Sequence, residues 1–263
     1  MSLFVETIEN PGKPSLTLLH GWGLNGAVWD GIRDTLAAHF TLHIIDLPGH
    51  GHSRDVALTT IEAATDLITD FLRAEGIKKT HLLGWSLGGQ FALTMALRHS
   101  EIVEKLLLVS TTPRFSVSDD WAHGVSADVL DDFAANLTKN YATTIRGFLA
   151  LQALHQPDAR VAVSALQRAM SLRSEPSAAS LQAGLNMLRS NDLREPIGRI
   201  AAPTLVIQGG HDALTKPAAA DWLAKNLPYS TFVMIEHAAH APFLSHQHLF
   251  LEHVMNHLQT SAA

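Results

Sequence analysis

A serine hydroxyl is a weak nucleophile, so a chain that uses one must also supply a base and a carboxylate that orients the base. Gly84-Trp85-Ser86-Leu87-Gly88 has the spacing G-x-S-x-G, with apolar Leu82 and Leu83 before it and a helix-like run from Phe91 to Arg98 after it. That context suits a serine on a strained strand-to-helix turn, whose flanking residues must be small because two backbones meet there. Asp212 follows the apolar run Leu205–Gln208 in a glycine-rich turn, Gly209-Gly210-His211-Asp212. Asp158, Asp192 and Asp221 compete for the acid's role, but each lies in a helical or capping context, and Asp212 is favoured. For the base, His237 and His240 compete in Glu236-His237-Ala238-Ala239-His240-Ala241-Pro242. His240 is preferred because it sits deeper in the loop between two alanines, whereas His237 abuts the strand end. The order Ser, Asp, His and two backbone N–H donors, from Leu87 and from Trp22 in His20-Gly21-Trp22-Gly23, would complete machinery for acyl transfer.

Such residues must be positioned by a rigid frame. Leu16–His20, Leu42–Asp46, Lys105–Ser110, Leu205–Gln208 and Thr231–Ile235 read as strands, as does the run into Ser86. Several are continuous apolar runs bounded by glycine, as strands buried on both faces are. Helical spacing marks Val28–Phe40, Ile61–Ala74, Phe91–Arg98, Ala218–Leu227 and Leu249–Leu258. This alternation predicts an α/β fold with a mostly parallel central sheet. From about Asp119 to Leu193 only helical patterns are found, with Leu130, Phe133, Leu137, Tyr141, Ile145 and Phe148 stepping by three or four along one helix or two consecutive ones. The expected organisation is a core of residues 1–112 and 203–263, with a helical lid, 113–202, inserted in it.

Composition narrows the function classes. The 263 residues are 46% apolar and 17% charged, as in an ordinary globular protein. The net charge of −6 is no footprint of a nucleic-acid binder. No run approaches the roughly 18 apolar residues of a membrane span, and residues 1–6 lack the basic and apolar regions of a secretory signal, so a cytoplasmic monomer is the expectation. Without cysteine there is no disulfide, thiolate metal site or cysteine nucleophile. Sixteen histidines invite a metal reading, yet the cluster His237, His240, His246 and His248 has no metal-ligand spacing, so no metal is expected.

The segments His20-Gly21-Trp22-Gly23-Leu24-Asn25, Asp46-Leu47-Pro48-Gly49-His50-Gly51-His52-Ser53, Gly84-Trp85-Ser86-Leu87-Gly88-Gly89 and His237–Pro242 together resemble the α/β-hydrolase superfamily. More narrowly they resemble the pimeloyl-[acyl-carrier protein] methyl ester esterases of biotin synthesis, over essentially the whole chain. The resemblance implies a serine carboxylesterase with the triad Ser86, Asp212 and His240, which releases methanol from a pimeloyl chain carried on acyl-carrier protein and needs no cofactor or metal. It also implies substrate contacts at Trp22, Ser86, Leu87 and His240, and an acyl-contacting segment at Phe148, Leu149, Ala150, Leu151 and Gln152. Of the family's basic lid positions Arg160 is kept, while Thr143, Gly147 and Ser164 replace others; Arg146 and Arg168 lie nearby and could substitute in holding the acidic carrier.

Charge supports a docking face. Between Lys139 and Arg173 stand five basic residues, Lys139, Arg146, Arg160, Arg168 and Arg173, against the single acid Asp158. Lys139 and Arg146 would share one face of an unbroken helix. The rival readings are a general short-chain esterase, or a lactone or carbon–carbon bond hydrolase of the same fold, since fold does not fix substrate. A non-catalytic receptor on this fold is the rival from another class.

Overall fold

The computed structural model describes residues 2–156 and 158–259; Met1, Pro157 and the residues from 260 onward lie outside it. Among the described residues seven strands form one sheet: β1 (Val5–Ile8), β2 (Ser15–Leu19), β3 (Thr41–Ile45), β4 (Thr80–Trp85), β5 (Val103–Val109), β6 (Thr204–Gly209) and β7 (Ser230–Ile235). Their order is β1-β3-β2-β4-β5-β6-β7, and every pairing is parallel except that of β1 with β3. β4 lies at the centre and every residue of it is buried, which is why Leu82 and Leu83 show no polar alternation. β1 escapes the sequence pattern because it is a four-residue edge strand, half-exposed along its length.

The crossovers are helical. α1 (Asp30–Ala37), α2 (Ile61–Ala74) and α3 (Leu87–Arg98) cover the first half, and α8 (Pro217–Asn226), the single turn α9 (Pro242–Ser245) and α10 (Gln247–Gln259) the second. α2 begins where Thr60 accepts a hydrogen bond from the Ala63 N–H, a side-chain cap ahead of an amphipathic run. Two boundaries differ from expectation. Gly26–Trp29 forms a 3₁₀ turn before α1, and α3 starts four residues before Phe91. The low helix propensity of Gly88 and Gly89 conceals that first turn, which close packing requires.

Between β5 and β6 stands an insertion of four helices: α4 (Ala127–Lys139), α5 (Tyr141–Leu151), α6 (Ala159–Leu172) and α7 (Ala178–Ser190). The helical expectation from Asp119 onward fails at its start. Residues 114–125 instead form short β-bridges, Ser116 with Val125 and Ser118 with Trp121. Trp121 is buried there, edge-on to Trp222 at 5.2 Å and covered by Arg194.

One buried carboxylate joins the insertion to the core. Asp46, at the end of β3 and fully buried, accepts hydrogen bonds from Gly26 N–H and His52 N–H, both at 2.7 Å, and from Arg173 Nη1 at 2.7 Å. Arg173 caps the C-terminal end of α6, where a cation also meets the helix dipole, and its second nitrogen pairs with Glu6 on β1. Losing one partner of a buried pair leaves an uncompensated charge, so Arg173→Met should lower stability by about 3 kcal/mol. Urea unfolding checks this: the midpoint falls and the slope stays constant.

Candidate active site

Ser86 connects β4 to α3 with φ 56° and ψ −118°, a conformation that costs a side chain about 1–3 kcal/mol and persists only when its surroundings enforce it. Its N–H donates to the Val109 carbonyl at 2.9 Å, and its carbonyl accepts from Gly89 N–H at 2.9 Å and the Thr111 hydroxyl at 2.7 Å. The glycines of the motif are required by contact. A Cβ on Gly84 would lie 2.3 Å from the Gly88 carbonyl oxygen, and one on Gly88 would lie 2.4 Å from that of Leu19. The turn presents a half-buried Ser86 at the C-terminal edge of the sheet, with the N–H of Leu87 in the first helical turn, where helix donors have no partner within the helix.

Asp212 lies in the loop after β6 and is held by five donors: Leu214 N–H (2.8 Å), Thr215 N–H (2.9 Å), the Thr215 hydroxyl (2.7 Å), Gln208 Nε2 (2.9 Å) and His240 Nδ1 (2.8 Å). Burial by itself would push this carboxyl up. The charge of His240 and the hydrogen bonds from His240 and Thr215 oppose it and hold the group below the ordinary carboxylate value. An ionised Asp212 can only accept, so Nδ1 of His240 carries a proton whether or not the ring is charged, and in the neutral ring Nε2 is the acceptor. Trp85, the residue before Ser86, donates its indole N–H to the His240 carbonyl at 2.8 Å. The base loop and the elbow are thereby neighbours. Ser86 Oγ and His240 Nε2 are not themselves hydrogen-bonded here; such contacts commonly tighten when substrate binds.

The competing residues lie elsewhere. His237 is exposed, its ring 5.8 Å from that of His211. Asp192 is paired with Arg114 and Arg194 and held well below the usual carboxylate range, Asp221 pairs with Lys225 along α8, and Asp158 is exposed at the start of α6. Thr215 and Gln208 escaped the sequence reading. The Asp-x-x-Thr spacing, which lets an aspartate bond the N–H groups two and three residues on, is the signal that points to Thr215.

The loop carrying Trp22 is held by two buried imidazoles. Leu47 N–H donates to His20 Nε2 at 3.0 Å, and Gly23 N–H to His50 Nε2 at 3.3 Å, while their Nδ1 atoms meet the carbonyls of Gly21 and Pro48. Burial pushes both histidines down, His20 strongly, so both are neutral at pH 7. The indole of Trp22 donates to the Leu181 carbonyl on α7 at 2.9 Å and stands edge-on to Phe148 at 5.1 Å and Phe133 at 5.4 Å. Gly184, which the sequence reading passed over, lets α7 approach, since a Cβ there would lie 2.8 Å from the Trp22 ring.

Beside Trp22 lies a wholly apolar cavity of about 90 Å³, lined among others by Phe115, Phe133, Phe148, Leu151, Leu185 and Leu214. Of the expected acyl-contacting run only Phe148 and Leu151 line it. Leu149 is buried toward Ile145 and Met170 on the other side of α5, and Ala150 is exposed, because successive residues of a helix face different directions. Gln152 is buried and meets the base loop through its backbone: its carbonyl accepts from His240 N–H at 3.0 Å. Among the expected docking residues Arg146, Arg160 and Arg168 are exposed. Arg173 is not available, being buried on Asp46, and the break at Asn140 puts Lys139 and Arg146 on different helices.

Residues 14–247 match the family model described as alpha/beta hydrolase fold. A protein of Nitrosomonas europaea named pimeloyl-[acyl-carrier protein] methyl ester esterase is 39% identical over 250 residues, 95% of this chain and 97% of its own. One of the same name from Chromobacterium violaceum is 38% identical over the full length of both chains. The chain belongs to the alpha/beta hydrolase fold family, and within it to the pimeloyl-[acyl-carrier protein] methyl ester esterases. Among solved structures, an esterase from Exiguobacterium antarcticum overlays this hydrolase with a TM-score of 0.89 at 24% identity, covering 98% of this chain and 96% of its own. At that identity the likeness speaks for the fold alone. Among the described residues of the hydrolase no helix is long and apolar enough to cross a membrane.

The neutral histidines set a pH dependence. An unfolded chain protonates His20 and His50 near pH 6.5, whereas the fold keeps both deprotonated to lower pH, so stability present at neutral pH is lost as pH falls below about 6.5. Each such histidine contributes a slope of up to about 1.4 kcal/mol per pH unit. Thermal unfolding should show a lower Tm at pH 5 than at pH 7, with a shallower dependence in His50→Gln, whose side chain does not titrate.

Proposed function

We propose that this chain is a serine carboxylesterase that hydrolyses the methyl ester of pimeloyl-[acyl-carrier protein], giving the free carboxylate and methanol in biotin synthesis. The observation that carries the reading is the buried His240–Asp212 pair, whose backbone Trp85 holds beside the strained turn of Ser86. Identity of 36–39% over nearly the full chain to esterases of that name supports the substrate. Ser86 Oγ attacks the ester carbonyl while His240 Nε2 takes its proton, and the N–H groups of Trp22 and Leu87 receive the developing oxyanion. Collapse of the tetrahedral intermediate breaks the bond to the methoxy oxygen, which leaves as methanol with the proton from His240. Water, deprotonated by His240, then cleaves the acyl-enzyme and restores Ser86. Asp212 holds the imidazole in the tautomer this sequence needs.

The insertion, residues 113–202, acts in this reading as the lid. Phe148 and Leu151 contact the methylene chain in the apolar cavity beside Trp22. Arg146, Arg160 and Arg168 take the acidic carrier on the outer face, where Arg160 and Arg168 form no ion pair among the described residues. Small uncharged esters reach the same triad without that face.

Ser86→Ala should lower kcat by about 10⁶-fold, roughly 8 kcal/mol of barrier, while folding normally. His240→Ala should match it and His237→Ala should stay active on a chromogenic ester; the reverse pattern would reassign the base. Replacing Arg146, Arg160 and Arg168 together by Gln should raise KM for the carrier-bound ester about tenfold, as three partly screened charge contacts imply. KM for a small ester should stay unchanged, and the wild-type KM on the carrier should rise with salt. Equal losses on both substrates would place the defect in the lid's fold, and preference for small esters over the carrier-bound one would favour a general esterase.

A further inference from the structure

The backbone that carries His240 is held by the insertion as well as by the core. Its neighbour Ala239 is fully buried, and the Ala239 N–H donates to Gln156 Oε1 at 3.0 Å. The His240 N–H donates to the Gln152 carbonyl, and His211 Nδ1, from the loop of Asp212, meets the His155 carbonyl at 2.8 Å. All three acceptors belong to the short turn that follows α5, residues 152–156. Of the three, Gln156 alone uses its side chain. It is 8% exposed, and its Nε2 is buried without a partner, so packing holds the side chain in place and the single bond to Ala239 is its polar function.

We infer that Gln156 is a positioning residue for His240, the side chain through which the helical insertion sets the place of the general base. The inference rests on the reading of His240 as base. On the core side the loop is held by the His240 carbonyl, bound to Trp85, and the imidazole, bound to Asp212. Those bonds fix one edge of the loop and the ring. The N–H edge faces the insertion, and without Gln156 the donor of the fully buried Ala239 loses its partner. The loop would then shift to find one, carrying Nε2 away from the serine it must reach. A displacement of about 1 Å at a reacting group can cost on the order of 10²-fold in rate. The end of α5 is therefore an anchor of the lid rather than a part that lifts. A partner that moved α5 would act on the base as well as on the opening.

The test compares Gln156→Leu, which removes the acceptor at similar volume, with Gln156→Glu, which keeps an acceptor oxygen there whether charged or protonated. His240→Ala is the reference, and all are assayed on a small uncharged ester. Gln156→Leu should lower kcat about tenfold or more with KM within about twofold, and Gln156→Glu should recover most of the loss. If leucine prevents folding, Gln156→Ala against Gln156→Glu makes the same comparison, with circular dichroism confirming the fold. Wild-type kcat in Gln156→Leu beside a dead His240→Ala would overturn the positioning role and leave the base assignment standing. So would Gln156→Glu as slow as Gln156→Leu, or a loss confined to KM. An active His240→Ala would overturn the base assignment and the inference with it.

Discussion

Everything at the site depends on a serine kept in a backbone conformation that a side chain avoids. Ser86 occupies positive φ because three backbones converge there: β4 entering, α3 leaving and β2 passing beneath. The contacts that forbid a Cβ at Gly84 and Gly88 bring the start of α3 close against the ends of β4 and β2. The strain is offset by the bonds of Val109, Thr111 and Gly89 to the serine's own backbone. A parallel sheet suits this use, since its strand ends leave loops side by side at one edge, and the loops of Trp22, Asp212 and His240 all rise there.

Buried polar groups do the remaining positioning, with partners drawn from different parts of the chain. Asp46 gathers the Trp22 loop, the Gly51–Ser53 turn and the insertion around one carboxylate. His20 and His50 hold the backbone of the Trp22 loop only while neutral, which their burial ensures. Asp212 sits amid five donors, so its charge is stabilised before any substrate arrives. An interior of this kind tolerates the charge of Asp46 and Asp212 because several donors surround each carboxylate, and removal of one partner costs more than the bond itself.

The insertion differs in character from the core. Its helices present apolar residues toward Trp22 and several cations outward, and its ties to the core include Arg173 on Asp46, the Trp22 indole on the Leu181 carbonyl and the turn 152–156 on the His240 loop. Residues of α4, α5 and α7, with Phe115 and Leu214, line the apolar cavity of about 90 Å³ beside Trp22.

The sequence by itself determined the alternation of strands and helices, and it singled out Ser86, Asp212 and His240 by residue type and order; the fold joins the last two in a buried hydrogen bond. The sequence carries local signals: apolar runs bounded by glycine, helical spacing, and residue types at fixed distances along the chain. It did not determine the four-residue edge strand β1, the bridged segment 114–125 or the first turn of α3, where the signal is shorter than a helical or strand period or is concealed by glycine. Nor could it assign Arg173, which reads as one more surface cation and is buried on a carboxylate 127 positions away. The resemblance names Leu149 and Ala150 as acyl contacts beside Phe148, and the helical phase of α5 turns both away from the apolar cavity that Phe148 lines. The partner of Ala239 at Gln156, 83 positions away, was decided by tertiary structure alone. Long-range contacts of this kind depend on which buried donors the fold leaves to be satisfied, and that is settled only once the chain has closed on itself.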